Sequence, residues 1–209
     1  MEDWPSILLG IIAALVAAIG IPLARRKRKE EGPKNMEQLF YHLQGIGVKT
    51  SMAERGVEEE KVGLRRSSAQ RSEGAIKVEG KNIDFINVSS VASQYGVKYF
   101  IDYLVRIPNW TDKRQRKKTS MVKKKSSGFR GRVIDIQWKG DDYLSRELNY
   151  DYHLQDKLVQ SALDNPKSSI QIVPESKYEY ARVITPYLLP PPDLFEAIDI
   201  IAKHIKSGW

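Results

Sequence analysis

Residues Trp4 to Ala24 contain no charged side chain. No other feature limits the chain so tightly. A run of 21 uncharged residues carrying Ile7, Leu8, Leu9, Ile11, Ile12, Leu15, Val16, Ile19 and Ile21 lacks the polar face that a surface helix needs. At about 1.5 Å of rise per residue, a helix of that length crosses the roughly 30 Å hydrocarbon layer of a bilayer. A secretory signal places its basic residues before the apolar run. Here Glu2 and Asp3 precede it, and Arg25, Arg26, Lys27, Arg28 and Lys29 follow. The expectation is a single-pass transmembrane anchor over residues 1–24 and a basic juxtamembrane linker over 25–35. The N-terminus is then outside the cell membrane and the body faces the cytoplasm.

The chain has 209 residues and no cysteine, which excludes disulfide scaffolds, thiolate metal sites and cysteine nucleophiles. Its 41% hydrophobic content is enough for a packed core. Charge is unevenly spread. Fifteen of the 34 basic residues lie in two windows, the membrane-edge run and residues 113–132, so 19 basic residues face 26 acidic ones elsewhere. The body is therefore acidic and carries two basic patches.

Periodicity divides the remainder. Met36 to Gln44 predicts a short helix with Leu39, Phe40 and Leu43 on one side, followed by a polar connector to Ser72. Ala75 to Glu79 and Ile83 to Ser90 predict a hairpin around Gly80. Val97, Tyr99, Ile101, Tyr103, Val105 and Ile107 alternate along one face of a long strand that Pro108 ends. Val133 to Trp138 predicts a strand with Val133, Asp135 and Gln137 opposite Ile134, Ile136 and Trp138. Asp141 to Leu163 predicts one long helix, stopped by Asn165 and Pro166. Ser169 to Val173 and Tyr178 to Thr185 form a further strand pair. In the last helix Asp193 and Glu196 have capping-box spacing, and Leu194, Ile198, Ile201, Ala202 and Ile205 form its stripe. The fold class expected is α+β: one N-terminal transmembrane helix, then a mainly antiparallel sheet packed with two amphipathic helices, the compact domain spanning 73–209.

The basic loop 108–132 is the main functional candidate, because connections this long inside a domain usually mean function or disorder. Lys113, Arg114, Arg116, Lys117, Lys118, Lys123, Lys124, Lys125, Arg130 and Arg132 occur there, with no acidic residue between Lys113 and Arg132. Together with Arg25, Arg26, Lys27, Arg28 and Lys29 they are the expected contacts to anionic lipid. Each is worth about 1 kcal/mol near a negative leaflet. Trp110, Met121 and Phe129 are candidates for interfacial insertion, and phosphorylation at Ser126 or Ser127 is a candidate release switch. A solvated hairpin extension is the bland alternative.

A nucleic-acid reading competes. Leu43, Gln44, Gly45, Ile46, Gly47, Val48, Lys49, Thr50 and Ser51 resemble the turn of a helix-hairpin-helix DNA-binding motif over about ten residues. The resemblance implies backbone N–H groups offered to a phosphate at Gly45, Gly47 and Lys49. Glu54 stands where that family carries an apolar residue, and a plain glycine turn is the alternative. Val48 occupies the place of the glycine that a Walker loop needs before its lysine, so nucleotide binding is not expected.

Enzymatic patterns are sparse. His42, His153 and His204 have no metal-binding spacing, and no cofactor or metal motif occurs. Asp141 and Asp142 read as helix caps, whereas Glu147, Asp151 and Gln155 fall beside the apolar arc of the long helix. Carboxylates there must be bonded, exposed or part of a site. The expectation is a membrane-anchored binding or scaffolding domain with no assigned protein partner. A membrane-tethered nucleic-acid-binding protein is second, and a carboxylate-based enzyme third.

Overall fold

The computed structural model describes residues 26–64, 69–107, 110, 115–126, 133–164 and 169–209. A helix α1 over residues 26–45 leads into β1 (Lys49–Met52), a 3-10 turn (Glu58–Lys61), β2 (Gln70–Glu79), β3 (Phe85–Ser93) and β4 (Gly96–Arg106). Then follow β5 (Thr119–Lys125), β6 (Val133–Lys139), α2 (Asp142–Tyr150), α3 (Tyr152–Asp164), β7 (Gln171–Glu175), a short 3-10 turn, β8 (Tyr180–Pro186) and α4 (Pro192–Gly208). The eight strands make one antiparallel sheet in the order β1-β2-β3-β4-β8-β7-β5-β6.

The expected α+β class with an antiparallel sheet holds, but the membrane architecture does not. Among the described residues no helix is long and apolar enough to cross a membrane, and four helices accompany the sheet. A single-pass, membrane-anchored protein with an outside N-terminus is therefore not supported. The run from Trp4 to Ala24 itself lies outside the described residues. The stretch 26–35, expected as a linker, forms the first turns of α1, in which Arg26 and Lys27 pair with Glu30 and Glu31 one turn on at 3.2 and 3.5 Å.

All four helices pack on one face of the sheet. Ile101, Tyr103 and Val105 of β4 point to that face, as their alternation predicts, and are fully buried. Register carries the apolar row sideways: Ile101 lies opposite Val88 and Thr185, and Tyr103 opposite Ile86 and Val183. Helix α4 covers the row with Leu194, Phe195, Ile198, Ile201 and Ile205, and the Phe195 ring meets Tyr103 edge-on at 6.4 Å. Leu39 and Leu43 of α1, and Leu144, Leu148, Leu154 and Leu158 of α2 and α3, complete the same core. On the far face a smaller cluster of Val62, Leu104 and Tyr180 lies under the 3-10 segment, whose Glu59 and Glu60 carbonyls accept from Asn87 Nδ2.

Several local expectations change for physical reasons. The long helix breaks at Asp151, whose extended backbone (φ −84°, ψ 91°) lets its Oδ1 accept from Leu154 N–H and start α3. The Asp193–Glu196 capping box does not form, because the cap position is Pro191 with Pro192 at the first helical position. Both acids instead hold Lys157 of α3, at 3.2 and 2.8 Å. Ile134 is exposed while Val133, Ile136 and Trp138 are buried, since a register shift beside Lys125 interrupts strict alternation in β6. The outer edge of β6 is blunted by Asn149, which accepts from Trp138 N and donates to Trp138 O.

Gly140, between β6 and α2, has φ of +138°, and a Cβ there would lie 2.0 Å from the Lys118 carbonyl oxygen. Because the obstacle is backbone, no rotamer change relieves it. Gly140→Ala is expected to destabilise the protein by more than about 2 kcal/mol, read as a lowered midpoint in urea at unchanged m-value.

Candidate functional site

Strand β5 pairs with β7 only at Thr119 and Ser120, with one further bond from Met121 N–H to the Ile170 carbonyl. Beyond that point β6 is its ladder partner, through Lys125 opposite Val133. The basic segment expected as a loop is thus in part a two-stranded ribbon running past the end of β7. Alternation sends Lys123 and Lys125 to one side and Lys124 to the other. Lys124 Nζ binds Asp135 Oδ2 across the ribbon at 2.8 Å, and that bond holds the Asp135 carboxyl below the usual carboxylate range. Partial burial, and then the charge of Lys125, lower the Lys123 amine below the ordinary lysine value.

The ribbon is tied down at its root. Asp141 is 5% exposed and caps α2: Oδ1 accepts from Tyr143 and Leu144 N–H, while Oδ2 accepts from Lys117 N–H. Its own N–H donates to Thr119 Oγ1. One step upstream the Arg116 guanidinium sits 4.4 Å over the Trp110 ring and donates to the Trp209 carbonyl at 3.0 Å. The side chains of Lys117 and Lys118 are exposed beside this root.

The other basic candidates divide. Arg28 turns inward, 8% exposed, and donates to the Ala69 carbonyl, while Arg26, Lys27 and Lys29 remain on the outer side of α1. Five strand positions separate β2, beneath α1, from β5, which is roughly 24 Å at about 4.8 Å per strand. The two basic windows therefore do not merge. Arg25, Lys113, Arg114, Phe129, Arg130, Arg132 and Ser127 lie outside the described residues.

The Gly45–Gly47 turn proves to be a helix terminus. Val48 N–H bonds the Leu43 carbonyl and Gly47 N–H that of Gln44, with Gly47 at φ +83° and both Val48 and Leu43 buried. This is a Schellman stop with its hydrophobic contact. Strand β1 follows it directly, and the turn is the plain glycine turn named as the alternative to a helix-hairpin-helix. Lys49 is exposed on that edge strand.

Glu147 and Asp151 do meet in a cleft of about 440 Å³, with His153, Lys203, His204 and Ser207. Gln155 is diverted to the Leu148 carbonyl at the end of α2. Within the cleft Asp151 Oδ2 bonds His204 Nε2 at 2.8 Å, while its Oδ1 caps α3. Ser207 Oγ donates to the His204 carbonyl and not to the ring. The arrangement is a brace between the start of α3 and the last turns of α4, in which both Asp151 oxygens are engaged. Among the described residues no cluster of three or more His, Asp or Glu side chains is placed to hold a metal ion. Sequence reading noted Glu147 and Asp151 but had no means to pair Asp151 with a histidine 53 positions away.

The chain matches no known family model, no curated protein and no solved structure.

The brace carries a pH signature. Burial raises the Asp151 carboxyl, but the His204 and Leu154 hydrogen bonds outweigh it and hold the group below its ordinary value. A depressed carboxyl stabilises the fold above the unfolded value of about 3.9 and loses that contribution as pH falls through the folded value. Asp151→Ala should cost about 1–2 kcal/mol at neutral pH through the lost cap and pair. Thermal melts from pH 7 to pH 3 should show the gap to the unmodified chain closing below about pH 4.

Proposed function

We propose that this protein is a binding module that docks on phosphate-bearing polyanions through the β5–β6 ribbon. The observation that carries this reading is the position of Lys123, Lys124 and Lys125 on a ribbon that leaves the sheet, with Lys123 and Lys125 on one side and Lys124, paired with Asp135, on the other. Lys117 and Lys118 extend the charge at its root. An otherwise acidic body repels such a polymer, so contact concentrates at this arm.

Nucleic acid suits the arm better than a lipid surface. Trp110 and Met121, the described apolar side chains that a bilayer interface would take up, pack instead against the protein core. A two-stranded ribbon also fits a major groove about 12 Å wide, and lysines serve as point-charge contacts to its phosphates. Backbone contact of this kind is independent of sequence and falls steeply with salt.

The test measures binding of the full chain to a labelled 20-base-pair duplex and, separately, to phosphatidylcholine vesicles with and without phosphatidylserine, across a salt series. Tight, salt-dependent retention on duplex is expected. Replacing Lys123, Lys124 and Lys125 by Gln should lower the slope of log K against log salt by about 2–3 while leaving the melting temperature nearly unchanged. Preference for anionic vesicles over duplex would assign the arm to a lipid surface. Equal binding by the unmodified and triple-Gln proteins would refute the docking role.

A further inference from the structure

The open sheet leaves β1 and β6 without an outer partner, and the chain treats these two ends differently. At β6 the Asn149 side chain occupies the outward N–H and carbonyl of Trp138. Among the described residues nothing fills that place on β1. The Ala53 N–H donates to the Ala75 carbonyl, and this bond sets the phase of the β1–β2 ladder. Lys49, Ser51 and Ala53 turn their backbone groups toward β2, so Thr50 and Met52 turn theirs outward. An edge of this kind is a template for another strand.

The side chains along the same edge are largely apolar. Met52 is 50% exposed and Tyr41 60%. With Pro33, Met36 and Phe40 they wall a groove of about 240 Å³, whose polar lining includes Glu37 and Arg55. On the helix-covered face Thr50 lies opposite Val78 and Met52 opposite Ile76, both buried. On the other face Lys49, the charged residue of β1, lies opposite Glu79 of its own chain.

We propose that β1 pairs antiparallel with β1 of a second copy of this chain, about a two-fold axis at Ser51, so that two sheets join edge to edge. The outward groups select this register. Thr50 exchanges N–H and carbonyl bonds with the partner's Met52, and Met52 with the partner's Thr50. An axis at Thr50 would bring the partner's Met52 opposite Val48, whose N–H is already bonded to the Leu43 carbonyl. An axis at Met52 would set Thr50 opposite the partner's Glu54, beyond the end of the strand. A two-fold contact requires a surface that matches itself, and with the axis at Ser51 this edge does. On the helix-covered face the row runs from Ile76 and Met52 to the partner's Thr50 and the partner's Val78. On the other face Lys49 meets the partner's Ala53, and no like charges stand directly opposite across the seam. The interface lies at the far end of the strand order from the ribbon and does not rest on its reading.

The experiment exploits the absence of cysteine from the chain. In the full chain Ser51→Cys lies on the axis in a non-hydrogen-bonded pair, with Cα atoms about 4.5 Å apart and within disulfide reach. Lys49→Cys is displaced from its symmetry mate by about four residues, or roughly 13 Å. Under mild oxidation Ser51→Cys is expected to form a disulfide-linked dimer at least about tenfold faster than Lys49→Cys. Sedimentation equilibrium of the unmodified chain is expected to show a monomer–dimer equilibrium. Thr50→Pro removes an outward N–H and no bond to β2, so it is expected to raise the dissociation constant at least about tenfold while the circular dichroism stays that of the unmodified chain. Met52→Lys, at a half-exposed side chain, serves the same purpose should Thr50→Pro fail to fold. A monomer up to the highest soluble concentration, equal cross-linking of the two cysteine variants, or an association that the folded edge variants leave unchanged each overturns the proposal.

Discussion

Removal of the α4 stripe from water against β4 and β8 is the interaction on which the remaining structure depends. Each large apolar side chain fully buried there contributes about 1.5–3 kcal/mol. Leu194, Phe195, Ile198, Ile201 and Ile205 meet a row formed by Ile101, Tyr103, Val105, Ala181 and Val183. Because β4 and β8 are the fourth and fifth strands in an order of eight, the helix seals the centre of the sheet. The flanking helices then cover what remains. Strands β1 to β3 come under α1, and the β5–β6 pair comes under α2 and α3, with Trp138 and Ile136 facing Leu144, Leu148, Leu154 and Leu158 in one continuous core.

Polar groups enclosed by this packing are handled in two contrasting ways. Asp141 is well engaged: its carboxylate accepts from the Lys117, Tyr143 and Leu144 N–H groups and its own N–H donates to Thr119, which joins the ribbon root to α2 and offsets the cost of burial. Asp102 is similarly engaged on the far face, by Ser89 at 2.6 Å and Arg182 at 3.3 Å, although burial still raises its carboxyl above the ordinary value. Glu73 differs from both. One of its oxygens is satisfied and the other is kept bare beneath a glycine.

The proposed docking ribbon stands at one end of the sheet, where β5 and β6 close the strand order. The ribbon carries its charge outward on a strand pair anchored by Asp141 and Arg116, so cations that are mutually repulsive are held together by backbone hydrogen bonds.

Much of the fold was readable from side-chain periodicity. The inward row of β4, the β2–β3 hairpin, the stripe of α4 and the antiparallel pairing of β7 with β8 follow from alternation and turn residues, because those signals are local and each strand or helix announces its own buried side. The uncharged N-terminal run implied a membrane span; that run lies outside the described residues, and no described helix is long and apolar enough to be one. Basic residues were counted correctly from sequence but not placed. Arg28 faces inward to Ala69, Arg116 clamps Trp209, and among the described residues Lys123, Lys124 and Lys125 stand on the ribbon.

What the sequence determined by itself was the class of fold and the side of each element that meets the core, since both depend on the order of apolar and polar residues along a few turns or strand pitches. Tertiary structure alone decided which distant groups meet: Asp151 with His204, Asp141 with Lys117, and Glu73 with Ser90 under Gly32. The reason is physical. Those encounters depend on a bulge, a broken helix and a strand order, and small backbone shifts at each of them relocate a side chain by several ångströms without changing the periodicity that sequence reading detects.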